Sequence, residues 1–454
     1  MSATAPRPTL QQLAVDLAAG RTTSRALVDV ALERIADPAG EGKRAFVKVY
    51  AESARAAAEA QDRLRAAGYV ASPLAGIPVS IKDLFDVAGE QTRAGSKALD
   101  DVPPAKADAP IVARLRAAGA VLMGRTNMTE FAFSGVGINP HYGTPGNPWD
   151  RSRIPGGSSS GAPISVADGM AAVAIGTDTG GSVRIPAAFC GLAGLKPTQY
   201  RVPREGATPL STTLDSIGPI GASVACCALT DAVMAGEAPT VPAAISAGAL
   251  RLGIPQTVVL NDLEAPVAAA FERAISALSR AGARIVELPL RELGEYAGIN
   301  AKGGFSPCEA FAWHEALLQR RGRDYDPRVR VRIERGREMS AVDYIRLLEQ
   351  RADLIRRVDR ASAEVDALVM PTLPLIAPPI AAFARDEDFW RLNGKILRNT
   401  ALFNFLDCCA LTLPIERLGE GPVGLMAVAR HGDDRRLLAM GLGIEAVAET
   451  ARRG

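Results

Sequence analysis

The chain has 454 residues, of which 48% are hydrophobic and 22% are charged, as in an ordinary globular protein. It holds 52 lysines and arginines against 50 aspartates and glutamates, so the net charge is +2. This balance argues against a dedicated nucleic-acid binder, which needs a basic face, and against an acidic disordered chain.

Helix and strand signals alternate along most of the chain. The first forty residues predict helices, and residues 22–24 can cap one whose apolar face includes Leu27, Ala31 and Ile35. Further helices are predicted at 110–118, near 265–281 and at about 436–451. Short apolar runs predict strands at 77–81, 121–123, 252–254, 284–288, 367–370, 410–413 and 423–428. This alternation predicts an α/β layered architecture with a largely parallel or mixed sheet.

Cysteine usage and the N-terminal sequence favour a cytoplasmic protein. The six cysteines form no C-x-x-C motif, which supports neither a disulfide framework nor a zinc site. Residues 1–8 lack the charged and apolar segments of a secretory signal peptide. The most apolar stretch, 367–384, contains four prolines, so it predicts a buried strand running into a loop rather than a membrane span.

Residues 290–365 differ from the rest of the chain. They predict consecutive amphipathic helices, rich in arginine and glutamate, with no clear strand. Two interpretations stand side by side: a helical layer on the same domain, or a cap over an active site.

Two clusters of small residues dominate the stretch 124–221. The first is Gly-Gly-Ser-Ser-Ser-Gly at 156–161, and the second is Gly-Thr-Asp-Thr-Gly-Gly-Ser at 176–182. Glycine-rich segments let several backbone amides point at one anion, which could be a phosphate or the oxyanion of acyl transfer. Phosphate is disfavoured because neither G-x-x-x-x-G-K-[ST] nor G-x-G-x-x-G is present. The Gly-Gly pair directly before Ser182 fits an oxyanion hole.

A serine nucleophile needs a base, and histidine is a poor candidate in this chain. His141, His314 and His431 have no surroundings typical of a catalytic histidine, so we expect structural or surface roles. The segment 157–161 formally matches G-x-S-x-G, but a loop precedes it and Pro163 disfavours a continuous helix after it.

A lysine is the remaining candidate for the base. Lys82 ends the apolar strand predicted at 77–81, so its side chain starts in the interior, where burial can lower a lysine pKa. The competing interpretation is a buried ion pair of Lys82 with Asp83 or Asp86.

These clusters and this lysine resemble the amidase signature hydrolases. The strongest match is 156–187, where 24 residues separate Ser158 from Ser182, and the segments 76–83, 124–131, 191–197, 214–219 and 422–425 also fit. The resemblance implies a single α/β/α domain over residues 1–454, with a central mixed β-sheet flanked by helices and with 290–365 inside it.

The resemblance also implies a triad. Ser182 resembles the nucleophile, Ser158 the bridging serine whose preceding peptide bond is cis in the family, and Lys82 the base. Neutral Lys82 would take a proton from Ser158, which would take one from Ser182. No metal and no organic cofactor is implied. The implied oxyanion-hole residues are Thr179, Gly180 and Gly181, and the implied supporting residues are Ser159, Asp178 and Arg184.

A free-standing amidase is the leading functional hypothesis, with a small-molecule amide as substrate and neither nucleic acid nor membrane as partner. The alternative is an A-type subunit of an amidotransferase or of a multi-subunit amide hydrolase, and carbamate, urethane or ester hydrolysis ranks below both. Ile185 stands where the tRNA-dependent amidotransferase subunits commonly have Gln, which disfavours that role. Residues 162–164 depart from the small residues usual in the family. A homodimer is left open.

Substrate contacts are predicted from the segment that lines the substrate channel in the family. The candidates are Met128, Phe131 and Ser134. Aromatic residues could extend an apolar channel, or they could be core residues: Phe133, Phe305, Phe311 and Trp313. An arginine facing the pocket would instead indicate an acidic substrate.

Overall fold

Eleven strands and fifteen α-helices are present in the computed structural model, which describes residues 7–453. Residues 1–6 and Gly454 lie outside the described residues. Residues 1–6 make up most of the segment 1–8, which lacks the pattern of a signal peptide in the sequence. The strands are β1 (Phe46–Val49), β2 (Pro78–Lys82), β3 (Val121–Thr126), β4 (Val173–Asp178), β5 (Ala193–Lys196), β6 (Ser216–Gly221), β7 (Arg251–Pro255), β8 (Arg284–Leu288), β9 (Ala367–Pro371), β10 (Cys409–Pro414) and β11 (Gly424–Ala429).

The helices lie before, between and after these strands. They are α1 (Leu10–Ala18), α2 (Ser24–Ala36), α3 (Gly42–Ala45), α4 (Ala51–Ala66), α5 (Pro110–Ala117), α6 (Gly161–Ala167), α7 (Arg184–Phe189), α8 (Val224–Ala235), α9 (Ala265–Arg280), α10 (Tyr296–Ile299), α11 (Phe305–Arg321), α12 (Pro327–Glu334), α13 (Ala341–Ala361), α14 (Asp386–Phe405) and α15 (Asp434–Arg453). Among residues 7–453, no helix has both the length and the apolar composition that a membrane crossing requires.

All eleven strands form one sheet, in the order β1-β3-β2-β4-β6-β5-β10-β11-β9-β7-β8. β2 lies parallel to both β3 and β4, whereas β6 runs antiparallel to β4 and β5. The sheet is therefore mixed, as predicted, and helices flank it within a single α/β domain.

Every strand that the apolar runs predict is present, with ends shifted by a few residues. Four strands have no counterpart in the prediction: β1, β4, β5 and β6. β6 has the sequence Ser-Ile-Gly-Pro-Ile-Gly, and glycine and proline are depleted in strands, above all in the middle of a sheet. The close packing at Gly218 explains the composition, since a Cβ there would lie 1.9 Å from the carbonyl oxygen of Leu195.

The helical prediction for 290–365 is confirmed. Two short helical segments, 291–295 and α10, lead into α11, α12 and α13. Near the N-terminus, α2 starts after Thr23, whose side chain accepts a hydrogen bond from the amide of Ala26, as the capping prediction requires.

Candidate active site

Lys82 lies at the carboxyl end of β2, inside the domain. β2 and β4 are parallel with Ile81 opposite Ile175, so Lys82 and Thr177 lie near the same edge of the sheet, where the two strands end. The Nζ atom of Lys82 lies 2.7 Å from Ser158 Oγ and 2.8 Å from Thr177 Oγ1. The lysine side chain is fully buried, so these two hydroxyls replace the water that its amine would otherwise bind.

The surroundings of Lys82 favour its neutral form. Burial lowers the pKa of Lys82 to about 7, although the carboxylates of Asp215 and Asp178 act in the opposite direction. A large fraction of this amine is therefore uncharged near neutral pH, and an uncharged amine can accept a proton.

The alternative interpretation, a buried ion pair of Lys82 with Asp83 or Asp86, is wrong. Asp83 accepts a hydrogen bond from Nε of Arg125 at 2.7 Å, and both side chains are buried. Asp86 accepts one from Thr92 at 2.6 Å. Both carboxylates have other partners, and the lysine faces hydroxyl groups instead.

Ser158 lies in the loop that joins β3 to α6. The peptide bond between Gly157 and Ser158 is cis. The carbonyl of Ser158 accepts the amide of Thr129 at 2.9 Å, and the amide of Gly157 donates to the carbonyl of Gly135 at 2.9 Å. A Cβ at position 157 would lie 2.6 Å from the nitrogen of Gly137, so this close approach of two parts of the same connection requires glycine.

The helix behind this loop forms despite Pro163. α6 begins at Gly161, three residues after Ser158, and Pro163 lies in its first turn. A proline there removes an amide that has no acceptor within the helix. The unusual residues at 162–164 are therefore compatible with a helix directly after the serine cluster.

Ser182 lies in the turn between β4 and α7 and is 4% exposed. Among the described residues, no hydrogen bond joins Ser182 Oγ to Ser158 Oγ. The structure thus brings together Lys82 and Ser158, the first pair of the predicted relay, but it does not join Ser158 to Ser182 by a hydrogen bond, and the relay itself stays a prediction. Hydrogen bonds in catalytic sites often tighten only when substrate binds.

The backbone amides around Ser182 fall into two groups. The amide of Gly181 donates to Asp178 at 2.8 Å, and the amides of Val183 and Arg184 donate to the same carboxylate at 3.2 and 3.3 Å. Within 7–453 the amides of Thr179, Gly180 and Ser182 have no acceptor. The predicted oxyanion hole includes Gly181, whose amide already donates to a carboxylate in this structure, and the assignment of the hole stays a prediction.

A buried ion pair fixes this turn. Arg184 and Asp178 are both fully buried, with distances of 2.9 Å from Nη2 to Oδ1 and 3.0 Å from Nε to Oδ2. Asn404, on α14, accepts from Arg184 at 2.6 Å and donates to Asp178 at 2.8 Å. Burial alone raises the pKa of Asp178, but the charge and hydrogen bonds of Arg184 outweigh it and hold that pKa well below its usual range. Ser159, the other predicted supporting residue, donates to the carbonyl of Thr177 at 3.4 Å.

Sequence reasoning missed Thr177 and Asp215. Thr177 lies inside the second glycine-rich cluster, and its position near the end of β4 could have identified it, had that strand been recognised. Asp215 accepts a hydrogen bond from Thr179 Oγ1 at 2.5 Å, and burial raises its pKa to about 6. Only the family resemblance singles out its segment, 214–219, in the sequence.

A cavity of about 210 Å³ lies beside these residues. Its wall includes Thr177, which contacts Lys82, and Thr179, whose backbone amide has no acceptor within 7–453. The remaining lining residues come from two sources: Leu84, Ala132 and Ile217 from around the sheet, and Arg204, Ala207, Thr208, Pro209, Leu210, Thr212 and Asp215 from the loop before β6.

Comparison with known proteins assigns the family. The Amidase family model matches residues 26–438 of this chain. The chain belongs to the amidase family.

Relatives within the amidase family cover most of the chain. A 2-amino-5-chloromuconic acid deaminase from Comamonas testosteroni is 39% identical over 87% of this chain and 86% of its own length. The A-type subunit of a glutamyl-tRNA(Gln) amidotransferase from Roseiflexus castenholzii is 36% identical over 95% of this chain and 94% of its own. A solved structure described as an amidase superposes with a TM-score of 0.87, at 35% identity, over 98% of this chain and all of the other.

In this family member, the predicted substrate residues lie in the protein interior. Met128 is fully buried, and the ring of Phe131 is 4.3 Å from that of His314, centroid to centroid. Ser134 donates to Asn393 at 2.9 Å. None of the three predicted residues lines the cavity described above, and their contact with substrate stays a prediction.

The aromatic residues of the predicted channel do not form one continuous surface. Phe133 packs in the same apolar cluster as Met128 and Phe131, whereas Phe305 lies in a different cluster beneath α13 and α14. These positions favour the core interpretation for Phe133 and Phe305.

The three histidines make contacts away from the serines and Lys82. His314 is buried with Nδ1 2.8 Å from the hydroxyl of Tyr325, and burial lowers its pKa to about 3. His141 pairs with Glu130 at 2.8 Å, and His431 pairs with Asp407 at 2.9 Å. These contacts agree with the structural roles predicted for them.

Proposed function

We propose that this chain hydrolyses the C–N bond of a carboxylic amide through an acyl-enzyme on Ser182, with Ser158 and Lys82 completing the triad. The observation that carries the proposal is the contact of 2.7 Å between Lys82 Nζ and Ser158 Oγ, in a site where burial lowers the lysine pKa to about 7. Membership of the amidase family supports the same reaction.

The proposed reaction has two stages. In the first, Lys82 accepts the proton of Ser158, Ser158 accepts the proton of Ser182, and the Ser182 oxygen attacks the amide carbonyl. The tetrahedral intermediate then expels the amine, which receives a proton back through the same two side chains. In the second stage water attacks the ester formed on Ser182, and this step releases the carboxylate and regenerates the serine.

The oxyanion of the intermediate needs donors that are free in the folded chain. The amides of Thr179 and Gly180, together with that of Ser182, meet this requirement, because Asp178 holds the amide of Gly181. An oxyanion-hole donor typically contributes about 3–4 kcal/mol to transition-state stabilisation. We therefore assign the oxyanion hole to these three free amides and give Gly181 the role of shaping the turn, where its φ is +130°.

The test uses the purified chain and a panel of primary amides, anilides and carbamates. We expect hydrolysis of at least one amide, and loss of that activity in Ser182→Ala and in Lys82→Ala, because the nucleophile or the base is then absent. If either variant keeps the turnover of the unmodified chain, the assignment of these residues is wrong.

Membership of a larger assembly is the second candidate function, and the similarity to the A-type amidotransferase chain supports it. Ile185 counts against it, because those chains commonly have Gln at this position. Measuring the mass and the hydrolytic activity of the isolated chain separates the two candidates. Activity of the chain alone favours the free amidase, whereas activity that appears only with a partner protein favours the assembly. The same mass measurement tests a homodimer.

The substrate that best fits the charged groups is an amide that also carries a carboxylate. Arg204 lines the cavity and donates to the carbonyl of Thr212. Its guanidinium forms no salt bridge with any residue in 7–453. The substrate named for the relative from Comamonas testosteroni is likewise an acid. In the panel above, mono-amides of dicarboxylic acids should show a higher kcat/KM than their neutral analogues.

The cytoplasmic location stays a prediction. All six cysteines are free thiols, and five of them are buried, as expected for a protein that folds in a reducing compartment.

A further inference from the structure

We propose that Glu309 is a positioning residue for the candidate active site, acting through the segment 210–215. This inference rests on the proposed function, since it concerns the same site. Because Glu309 belongs to the helical segment 290–365, the same proposal means that this segment helps to position residues of that site.

The carboxylate of Glu309 receives four hydrogen bonds, three of them from the segment 210–215. Glu309 is on α11 and is half-buried. One oxygen accepts from Ser211 Oγ at 2.5 Å and from the amide of Thr213 at 3.0 Å. The other accepts from the hydroxyl of Thr213 and from that of Tyr344 at 2.7 Å. A charged acceptor with this many donors makes strong and geometrically specific contacts.

The same segment ends at the active site. Asp215 accepts the amide of Leu210 at 2.9 Å and that of Ser211 at 3.0 Å, so the segment folds around this carboxylate. Asp215 also accepts from Thr179 Oγ1 at 2.5 Å. A continuous set of hydrogen bonds therefore runs from Glu309 to Thr179, whose amide is one of the three free donors near Ser182.

The cavity depends on the same arrangement. Leu210, Thr212 and Asp215 form part of its wall, and Thr179 faces them. Releasing the segment from Glu309 would change both the shape of the cavity and the position of the Thr179 amide. A displacement of about 1 Å in a catalytic site can lower the rate about 100-fold.

Loss of Glu309 should move the segment rather than unfold the protein. The carbonyl of Thr212 accepts from Gln199 at 2.7 Å and from Arg204 at 2.7 Å, and neither contact involves Glu309. These contacts keep the segment attached to the domain from its other side. A change in activity without a large change in melting temperature is therefore the expected signature.

The experiment compares variants of Glu309 with a control on the same helix, using the best amide from the panel. In Glu309→Ala we expect kcat to fall about 100-fold while KM changes less than threefold. Glu309→Gln keeps an oxygen acceptor, so it should recover about a tenth of the wild-type kcat. Glu315→Ala is the matched control, because Glu315 is exposed on α11 and should leave both constants unchanged.

A second measurement does not depend on turnover. The amides of Leu210, Ser211 and Thr213 donate to Asp215 or Glu309, so hydrogen exchange over 210–215 should accelerate at least tenfold in Glu309→Ala and not in Glu315→Ala. Should Glu309→Ala fail to fold, Thr213→Val is the second variant. It removes the hydroxyl that donates to Glu309 and should lower kcat at constant KM.

The outcomes separate the two proposals. If Glu309→Ala keeps kcat within threefold of the unmodified enzyme, or if exchange over 210–215 does not change, the positioning role is wrong, and loss of activity in Ser182→Ala still supports the amidase. If the unmodified chain hydrolyses no amide, the proposed function fails, and exchange alone then decides whether Glu309 holds the segment.

Discussion

The stretch 124–221 and the helical segment 290–365 differ in how deeply their paired charged side chains are buried. In the first, Asp178 and Arg184 are fully buried, and each has several partners. In the second, pairs such as Arg357 with Glu295 lie on the surface, with side chains 35% and 48% exposed. A buried charge without a partner is costly, whereas water screens an exposed one. The buried stretch can therefore set pKa values and fix backbone amides, while exposed pairs such as Arg357 with Glu295 contribute little to stability.

Glu309 is where the two regions meet. It belongs to the helical segment, yet three of its four hydrogen bonds come from residues of the other region. The contrast between the regions predicts large effects for changes in the buried one and small effects for changes at exposed positions. The first three experiments below concern buried positions, and the fourth changes an exposed one.

The largest effect is expected at the serine cluster. Ser158→Ala should lower kcat about 10²–10⁴-fold, because the proton path between Lys82 and Ser182 is then interrupted. Ser160→Ala, two residues away, is the control: Ser160 Oγ is buried without a hydrogen-bond partner, so its removal should leave kcat unchanged. Steady-state kinetics on one amide would contradict the relay if the two variants behaved alike.

Breaking the buried ion pair should have the next largest effect. Asp178→Ala leaves the Arg184 guanidinium buried without its carboxylate, and removing one partner of such a pair typically costs about 3–5 kcal/mol of unfolding free energy. Urea unfolding followed by circular dichroism measures this change. Glu295→Ala removes the exposed partner of Arg357 and should leave the urea midpoint of unfolding unchanged. Equal midpoints for the two variants would contradict the difference between buried and exposed charges.

The pH dependence of kcat/KM should report Lys82. In the proposed mechanism the neutral amine is the active form, and burial lowers its pKa to about 7, so activity should fall about tenfold per pH unit below pH 7 and level off above it. Asp215 raises the pKa of Lys82, so Asp215→Asn should move the midpoint to lower pH. A rate that stays constant down to pH 5 would contradict lysine as the base.

The smallest effect is expected at the histidines. His431→Gln changes a side chain that is 44% exposed and contacts Asp407 and Tyr200, so kcat and KM should stay within twofold of the unmodified enzyme. A loss of activity in this variant would contradict the structural role of His431 and would make histidine a candidate base again.

The hydrophobic pattern predicted much of the fold, and it missed two central strands that contain glycine. Apolar runs predicted β2, β3 and the strands from β7 onward, because those segments bury ordinary aliphatic side chains. β6 escaped prediction because two of its six residues are glycine and one is proline, and β4 because it runs into the second glycine-rich cluster. The backbone of β6 passes too close to β5 for a larger residue at Gly218. Such close approach is a property of the packed sheet and leaves no hydrophobic pattern in the sequence.

The sequence by itself determined which reactive groups exist: one lysine at the end of an apolar strand and two serines in glycine-rich clusters, in an order that resembles the amidase signature. The tertiary structure alone decided what those groups can do. Lys82 and Ser158 are 76 residues apart in the chain, and only the folded sheet brings them to 2.7 Å and removes the water that would keep the amine charged. Only the fold engages the amide of Gly181 with Asp178 and leaves its neighbours free. A protonation state depends on burial and on nearby charges, and an amide is free only if no acceptor reaches it, so both are set by contacts between distant parts of the chain.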